Sequence, residues 1–304
     1  MRLPKRWLRY WPIPLCLALI GSGYFAWGEL TRTRGNQTIS FVPAKASCNT
    51  EGSLQYCAYR AAAGTNGDIV YYLHGRKLDA HIWNDTTYYT AMIQAQWQKT
   101  GALPPTVVAV SYGGTWLLTP KGARSDSGLL DDFMQRLPAI EAKLGKPKRR
   151  ILLGESMGGL NVLIAGLNHP SAFTKVAALC PGVYAVSPFS KISEIRSSME
   201  RTGANPKIIF GIWLMARQYV ANDAEWQTVS PLKLIDRAGP DYPVLYLSNG
   251  LYDAYGNFEG TERLARTATA HGVQVEWHPL LWRPLRHRCA ILVCFPHEQN
   301  IGES

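Results

Sequence analysis

Short apolar runs recur along the chain, separated by stretches in which apolar residues return every three or four positions. Ile69-Val70-Tyr71-Tyr72-Leu73 stops at His74-Gly75, Thr106 to Val110 is a second run, and Arg150 to Leu153 is a third that ends at Gly154. Val176 to Leu179, Val244 to Leu247 and Val273 to Trp277 follow. Runs this short, apolar at consecutive positions, predict strands buried on both faces of a parallel sheet. Leu130, Phe133, Leu137, Ile140 and Leu144 mark one face of a helix over Leu129–Leu144, and further helical patterns follow Ser156 and run from Phe258 to Ala270. The alternation predicts an α/β fold, a mostly parallel central sheet with helices on both faces. About sixty residues between Cys180 and Pro243 break the rhythm. Within 187–240, Ile208, Phe210, Trp213, Leu214 and Met215 read either as a helical cap lining an acyl pocket or as a helix packed onto the domain. Such a stripe at helical spacing is ordinarily core, and the second reading is preferred.

The N-terminus adds an export pattern. The basic stretch MRLPKRWLRY precedes an uncharged apolar run from Trp11 to Trp27, the order of a secretory signal. Cleavage near Ala26-Trp27-Gly28 and retention as a membrane anchor through residues 11–27 are both open. Either way the domain is expected outside the cytoplasm, periplasmic or extracellular. The predicted layout is a signal peptide or anchor over 1–28, a linker over 29–40 and one catalytic domain over 41–304, of which 279–304 is an atypical tail. Residues 1–35 carry six basic side chains against Glu29, so they supply +5 of the chain's net +10. The rest is only mildly basic, which argues against a nucleic-acid partner.

Export changes how cysteines read. Cys48 and Cys57 flank polar, turn-like sequence, and in an oxidising compartment they either staple a hairpin or stand apart as thiols. Cys180, at the end of an apolar strand, reads as a buried thiol. No Cys/His spacing resembles a zinc site, and no metal is expected.

The chemistry concentrates at Gly154-Glu155-Ser156-Met157-Gly158. A strand precedes this stretch and a helix follows it, the context in which a Gly-x-Ser-x-Gly turn holds a nucleophilic serine in a sharp elbow. The helix start then aims the N–H of Met157 at an oxyanion. A second donor is expected from the loop after an earlier strand, where Gly75 lets the backbone approach and the N–H of Arg76 points to the same oxygen. His74 reads as a strand-end histidine satisfied by local bonds. The acid should follow a late strand in the order Ser, Asp, His, which selects Asp253 in the stretch after Leu247. Asp241 precedes that strand, at the wrong end of the sheet.

The GESMGG stretch with His74-Gly75 upstream, the Asn168-His169-Pro170-Ser171-Ala172-Phe173 segment and the YDAYGNFEG stretch together resemble the esterase D-like family of α/β-hydrolases, over roughly residues 41 to 280. The resemblance implies the α/β-hydrolase fold and cofactor-free carboxyl-ester chemistry through a serine acyl-enzyme. Its substrate would be a small-molecule or cell-envelope ester. Transfer of the acyl group to a sugar or lipid alcohol, and an inactivated hydrolase fold serving as a scaffold, are the alternatives. The family would also place a catalytic His in a Gly-Gly-His-like loop just after the last strand. That loop is missing, and His287 is the nearest candidate in loop position. A one-base frame shift within the codons for Leu281 to Leu285 would turn Trp282 into Gly and permit Gly and His at the next two codons. A frame-shifted tail that impairs catalysis and a divergent but genuine one both stand.

Overall fold

The computed structural model describes Ser22 and residues 38–113 and 117–280. The chain divides into two compact units, Met1–Thr38 and Ile39–Ser304. The signal or anchor expected over 1–28 falls outside the described residues, Ser22 apart. Among the described residues no helix is long and apolar enough to cross a membrane.

Among the described residues of the second unit, eight strands form one sheet in the order β1-β2-β4-β3-β5-β6-β7-β8. They are β1 (Lys45–Glu51), β2 (Leu54–Arg60), β3 (Ile69–Leu73), β4 (Thr106–Ser111), β5 (Arg150–Glu155), β6 (Lys175–Leu179), β7 (Val244–Gly250) and β8 (Val275–Leu280). β2 runs antiparallel to both of its neighbours, and every pairing from β4 to β8 is parallel. The longer helices are α1 (Tyr89–Thr100), α2 (Leu129–Leu144), α3 (Met157–Asn168), α4 (Ile192–Thr202) and α5 (Pro206–Tyr219). Two short helices, α6 (Asp223–Gln227) and α7 (Pro231–Leu234), precede α8 (Asn257–Ala270). The predicted architecture holds, with helices on both faces.

Consecutive strand residues point to opposite faces, so each strand serves two cores. Tyr71, Val108 and Leu152 join Phe133 of α2 and Ile164 of α3 on one face. Tyr72, Val107 and Leu153 join Trp83 and Ile93 of α1 on the other. All five residues of β3 and all six of β4 are buried, as their unbroken apolar runs predict.

Three local expectations need correction. β8 begins two residues later than predicted and runs through Pro279 to Leu280. Proline is tolerated because, among the described residues, β8 lies at the edge of the sheet, where one side of the strand makes no ladder bonds. His278 therefore belongs to the strand, with its ring stacked on Tyr246 at 4.7 Å. Cys180 sits one residue past β6 with φ 44, and it is only partly buried. On α5, Ile209, Ala216 and Tyr219 face inward, but Phe210 and Leu214 are exposed. The buried stripe is thus offset from the one read off the sequence.

The Cys48–Cys57 hairpin is stapled. The two cysteines face one another in the β1–β2 register, and the strands turn through Gly52-Ser53. Gly52 has φ +62, and a positive φ at the first central position is what a type II′ hairpin turn asks for.

Candidate active site

Leu73 of β3 pairs with Gly154 of β5, Glu155 pairs with Leu179 of β6, and Leu179 pairs with Ser248 of β7. Parallel strands in this register end along one edge, and their following loops gather there. Three of the predicted site segments lie on that edge: the loop after β3, the β5–α3 turn and the loop after β7.

Ser156 occupies the turn with φ 51 and ψ −116, outside the conformations ordinary residues populate, and the residue is exposed. Its N–H donates to the Leu179 carbonyl at 2.9 Å, and its own carbonyl accepts from Leu160 at 3.0 Å and Gly182 at 3.1 Å. These bonds hold the turn between β6 and α3. The flanking glycines are needed for space. A Cβ on Gly154 would lie 2.4 Å from the Gly158 carbonyl oxygen, and one on Gly158 would lie 1.9 Å from that of Leu73. Met157 opens α3, so its N–H has no carbonyl one turn earlier in the helix to bond.

His74 is buried. Its Nδ1 lies 2.7 Å from the Gly75 carbonyl oxygen and its Nε2 lies 2.9 Å from Ser111 Oγ. Burial pushes its imidazole pKa down, against the opposing effect of the Gly75 contact. These local bonds are those expected of a scaffolding histidine. Arg76 and Lys77 form the centre of a turn closed by Leu78 N–H to the Gly75 carbonyl at 3.3 Å, with Lys77 at φ 64. Gly75 clears a different neighbour from the one anticipated: its Cβ would lie 3.0 Å from Glu155 Oε1. The residue before the nucleophile thus lies against the Arg76 loop, a role hidden within the elbow motif.

Asp253 lies in the loop after β7 and is 5% exposed. Its Oδ1 accepts from Tyr255 N–H at 2.9 Å and its Oδ2 from Asn257 N–H at 3.0 Å. Burial raises its carboxyl pKa above the ordinary 3.8, while those two N–H groups pull it down. Tyr184, unnoticed in the sequence, is close enough for Asp253 to reinforce the upward push that burial gives its phenol. Asp241 precedes β7, as expected.

Helix α5 starts beside one of these loops. Asn205, its N-cap, donates its backbone N–H to the Ala254 carbonyl at 2.8 Å, beside Asp253. At its other end Tyr219 is buried; burial and then Asp126 raise its pKa while Arg76 lowers it. Fourteen residues make a helix about 21 Å long.

None of the described histidines joins this cluster as a free base. His271 ends α8, with Nδ1 3.2 Å from the Ala238 carbonyl oxygen, and His278 is held in β8. His287 and the frame expectation for the tail lie outside the described residues. One grouping escaped sequence spacing: His81 Nδ1 lies 3.9 Å from Cys48 Sγ and 3.7 Å from Cys57 Sγ.

A family model described as "Putative esterase" matches residues 48–270, more than half of the chain. Compared by sequence with curated proteins, the chain matches none. Among solved structures it is similar to a ferulic acid esterase, at 16% identity and TM-score 0.57, covering 79% of this chain and 91% of that one. It is also similar to an arylesterase, at 17% identity and TM-score 0.56, covering 81% and 79%. A brefeldin A esterase, a bacterial homologue of human hormone-sensitive lipase, aligns at 18% identity and TM-score 0.53, covering 88% and 76%. At these identities the structural likeness speaks for the fold.

Proposed function

Because this chain belongs to the esterase family, the esterase D-like α/β-hydrolases, we propose that Ser156 is the nucleophile of a carboxylic-ester hydrolase working through an acyl-enzyme. The observation that carries the reading is the backbone of Ser156. A serine held at φ 51, between glycines with no room for a Cβ, costs about 1–3 kcal/mol and persists where it serves a purpose. Exposing Oγ at the head of a helix is such a purpose.

Ser156 Oγ attacks the ester carbonyl while a histidine takes its proton. The carbonyl oxygen becomes an oxyanion held by the N–H groups of Met157 and Arg76. The histidinium returns the proton to the departing alcohol, and water then releases the acid by the same steps. Asp253 orients the histidine and stabilises its charged form. Two strand spacings separate β5 from β7, about 10 Å. That is the order of gap an imidazole with a hydrogen bond on each side spans. We assign the histidine to the chain beyond Leu280, with His287 first among candidates. Export is part of the proposal, supported by the basic and apolar N-terminus and by the Cys48–Cys57 staple, a bond favoured in oxidising compartments.

The test is incubation of the purified full chain with a fluorophosphonate and mapping of the adduct by mass spectrometry, with Ser156→Ala as the blank. Labelling at Ser156 supports an activated nucleophile, and added alcohols then separate hydrolysis from acyl transfer. A folded chain that takes no label refutes the working relay. Resequencing the codons for Leu281 to Leu285 would then distinguish a shifted frame from a genuine, inactive tail.

A further inference from the structure

The sulfurs of Cys48 and Cys57 and the Nδ1 of His81 lie within 4.8 Å of one another, with Cys48 and His81 exposed and Cys57 buried. Three separate segments supply them: β1, β2 and the loop after β3. His81 is carried on a fixed turn. Its N–H donates to Asp79 Oδ1 at 2.8 Å, and it opens a 3-10 turn whose Trp83 is buried. The imidazole therefore stands beside the sulfurs because the backbone puts it there.

We propose that Cys48, Cys57 and His81 form a redox-gated site for a zinc-class divalent cation. In the oxidised chain the two sulfurs are bonded to each other and offer no thiolate. A dithiol reductant delivers two electrons and two protons, breaks the sulfur–sulfur bond and becomes a disulfide itself. The cation then displaces one proton from each cysteine thiol and binds two thiolates and Nδ1, with water in the fourth position. Donor chemistry selects the metal class, since two thiolates and an imidazole suit zinc. The imidazole's distances agree: bond lengths of about 2.3 Å to sulfur and about 2.0 Å to nitrogen at a tetrahedral angle put ligating S and N about 3.5 Å apart. The imidazole already stands 3.7 and 3.9 Å from the two sulfurs. Reduction thus exchanges a covalent tie between β1 and β2 for a coordinate tie that also takes in the loop after β3. The site does not depend on the esterase reading, so the two stand or fall separately.

The probe is Co²⁺, a coloured stand-in for Zn²⁺, titrated into the full chain before and after treatment with a phosphine reductant. The expected result is no cobalt signal before reduction. After it, sulfur-to-cobalt charge transfer and tetrahedral visible bands should appear at one ion per chain and be abolished by equimolar Zn²⁺. The Cys48→Ser, Cys57→Ser double variant blanks the remaining thiols. His81→Ala keeps the disulfide fold and should weaken binding about a hundredfold on losing a ligand. A reduced chain with no charge-transfer band overturns the proposal, as does a disulfide that resists the phosphine in the folded chain. Equal cobalt affinity in His81→Ala, or an undiminished signal in the double cysteine variant, overturns it as well.

Discussion

Gly158→Ala puts the least possible bulk at the closest approach in the site. The added carbon would lie 1.9 Å from the Leu73 carbonyl oxygen, 2.5 Å from the Leu73 carbonyl carbon and 2.6 Å from the His74 carbonyl oxygen. All three are backbone atoms of β3 and its loop, so no side chain can rotate away. Carbon–oxygen contacts close at about 3.3 Å, which leaves a deficit of about 1.4 Å. The first turn of α3 must therefore lift from the sheet and carry Ser156 and the Met157 N–H with it. Overpacking of this kind costs about 1–3 kcal/mol, and a misplacement of about 1 Å at a reacting centre costs about a hundredfold in rate. The assays are urea unfolding and the rate of fluorophosphonate labelling at Ser156. Gly182→Ala is the matched control: its Cβ would meet Tyr184 Cε2 at 3.7 Å and Leu160 Cβ at 3.8 Å, ordinary contacts. Wild-type stability and labelling in Gly158→Ala would refute the packing argument. Equal damage in Gly182→Ala would show that the effect is not specific to this approach.

Asp253→Ala should slow labelling by about 10⁴, the loss that its proposed role as the triad acid implies. It should also cost about 1–3 kcal/mol in urea unfolding, because the N–H groups of Tyr255 and Asn257 lose their acceptors. The Asp253 carboxyl has a folded pKa above its unfolded one, so the folded state holds that proton more tightly. Its contribution to stability is present below pH 3.8 and is lost as pH rises through the folded value. Wild type should lose stability relative to Asp253→Asn over that window in a series of urea titrations; a flat difference would contradict the burial argument. Removing the Cys48–Cys57 bridge with two serines should cost about 2–3 kcal/mol, as for a short loop closed across a separation of 9 residues. A midpoint unchanged by that double substitution would show that the hairpin does not depend on its staple.

Legibility followed burial. β3, β4, β5 and β6 lie inside the sheet, and double-sided burial writes itself as consecutive apolar residues. β1 escaped because its first six residues are exposed, so KASCNTE has no period to read. α1 escaped for a different reason: Thr90 and Gln94 on its inner side are buried with partners supplied by tertiary contact, the carbonyls of Ile82 and Trp83. The turn at Ser156 could be placed from its glycines because their spacing encodes a steric demand. Chain order placed Asp253 in the loop after β7, where it lies. His81 lies 24 residues from Cys57, and only the fold closes that distance. His278 was missed as a strand residue because the last apolar run reads as ending at Trp277, whereas the strand continues through Pro279.

The positive φ of Ser156 bears on how this protein would change under selection. Glycine adopts that conformation without strain, so Ser156→Gly should raise the melting temperature while removing the proposed nucleophile. In a population screened only for folding or expression, position 156 would drift toward glycine. Continued serine there, in variants recovered after long passage, would record selection for the hydroxyl itself.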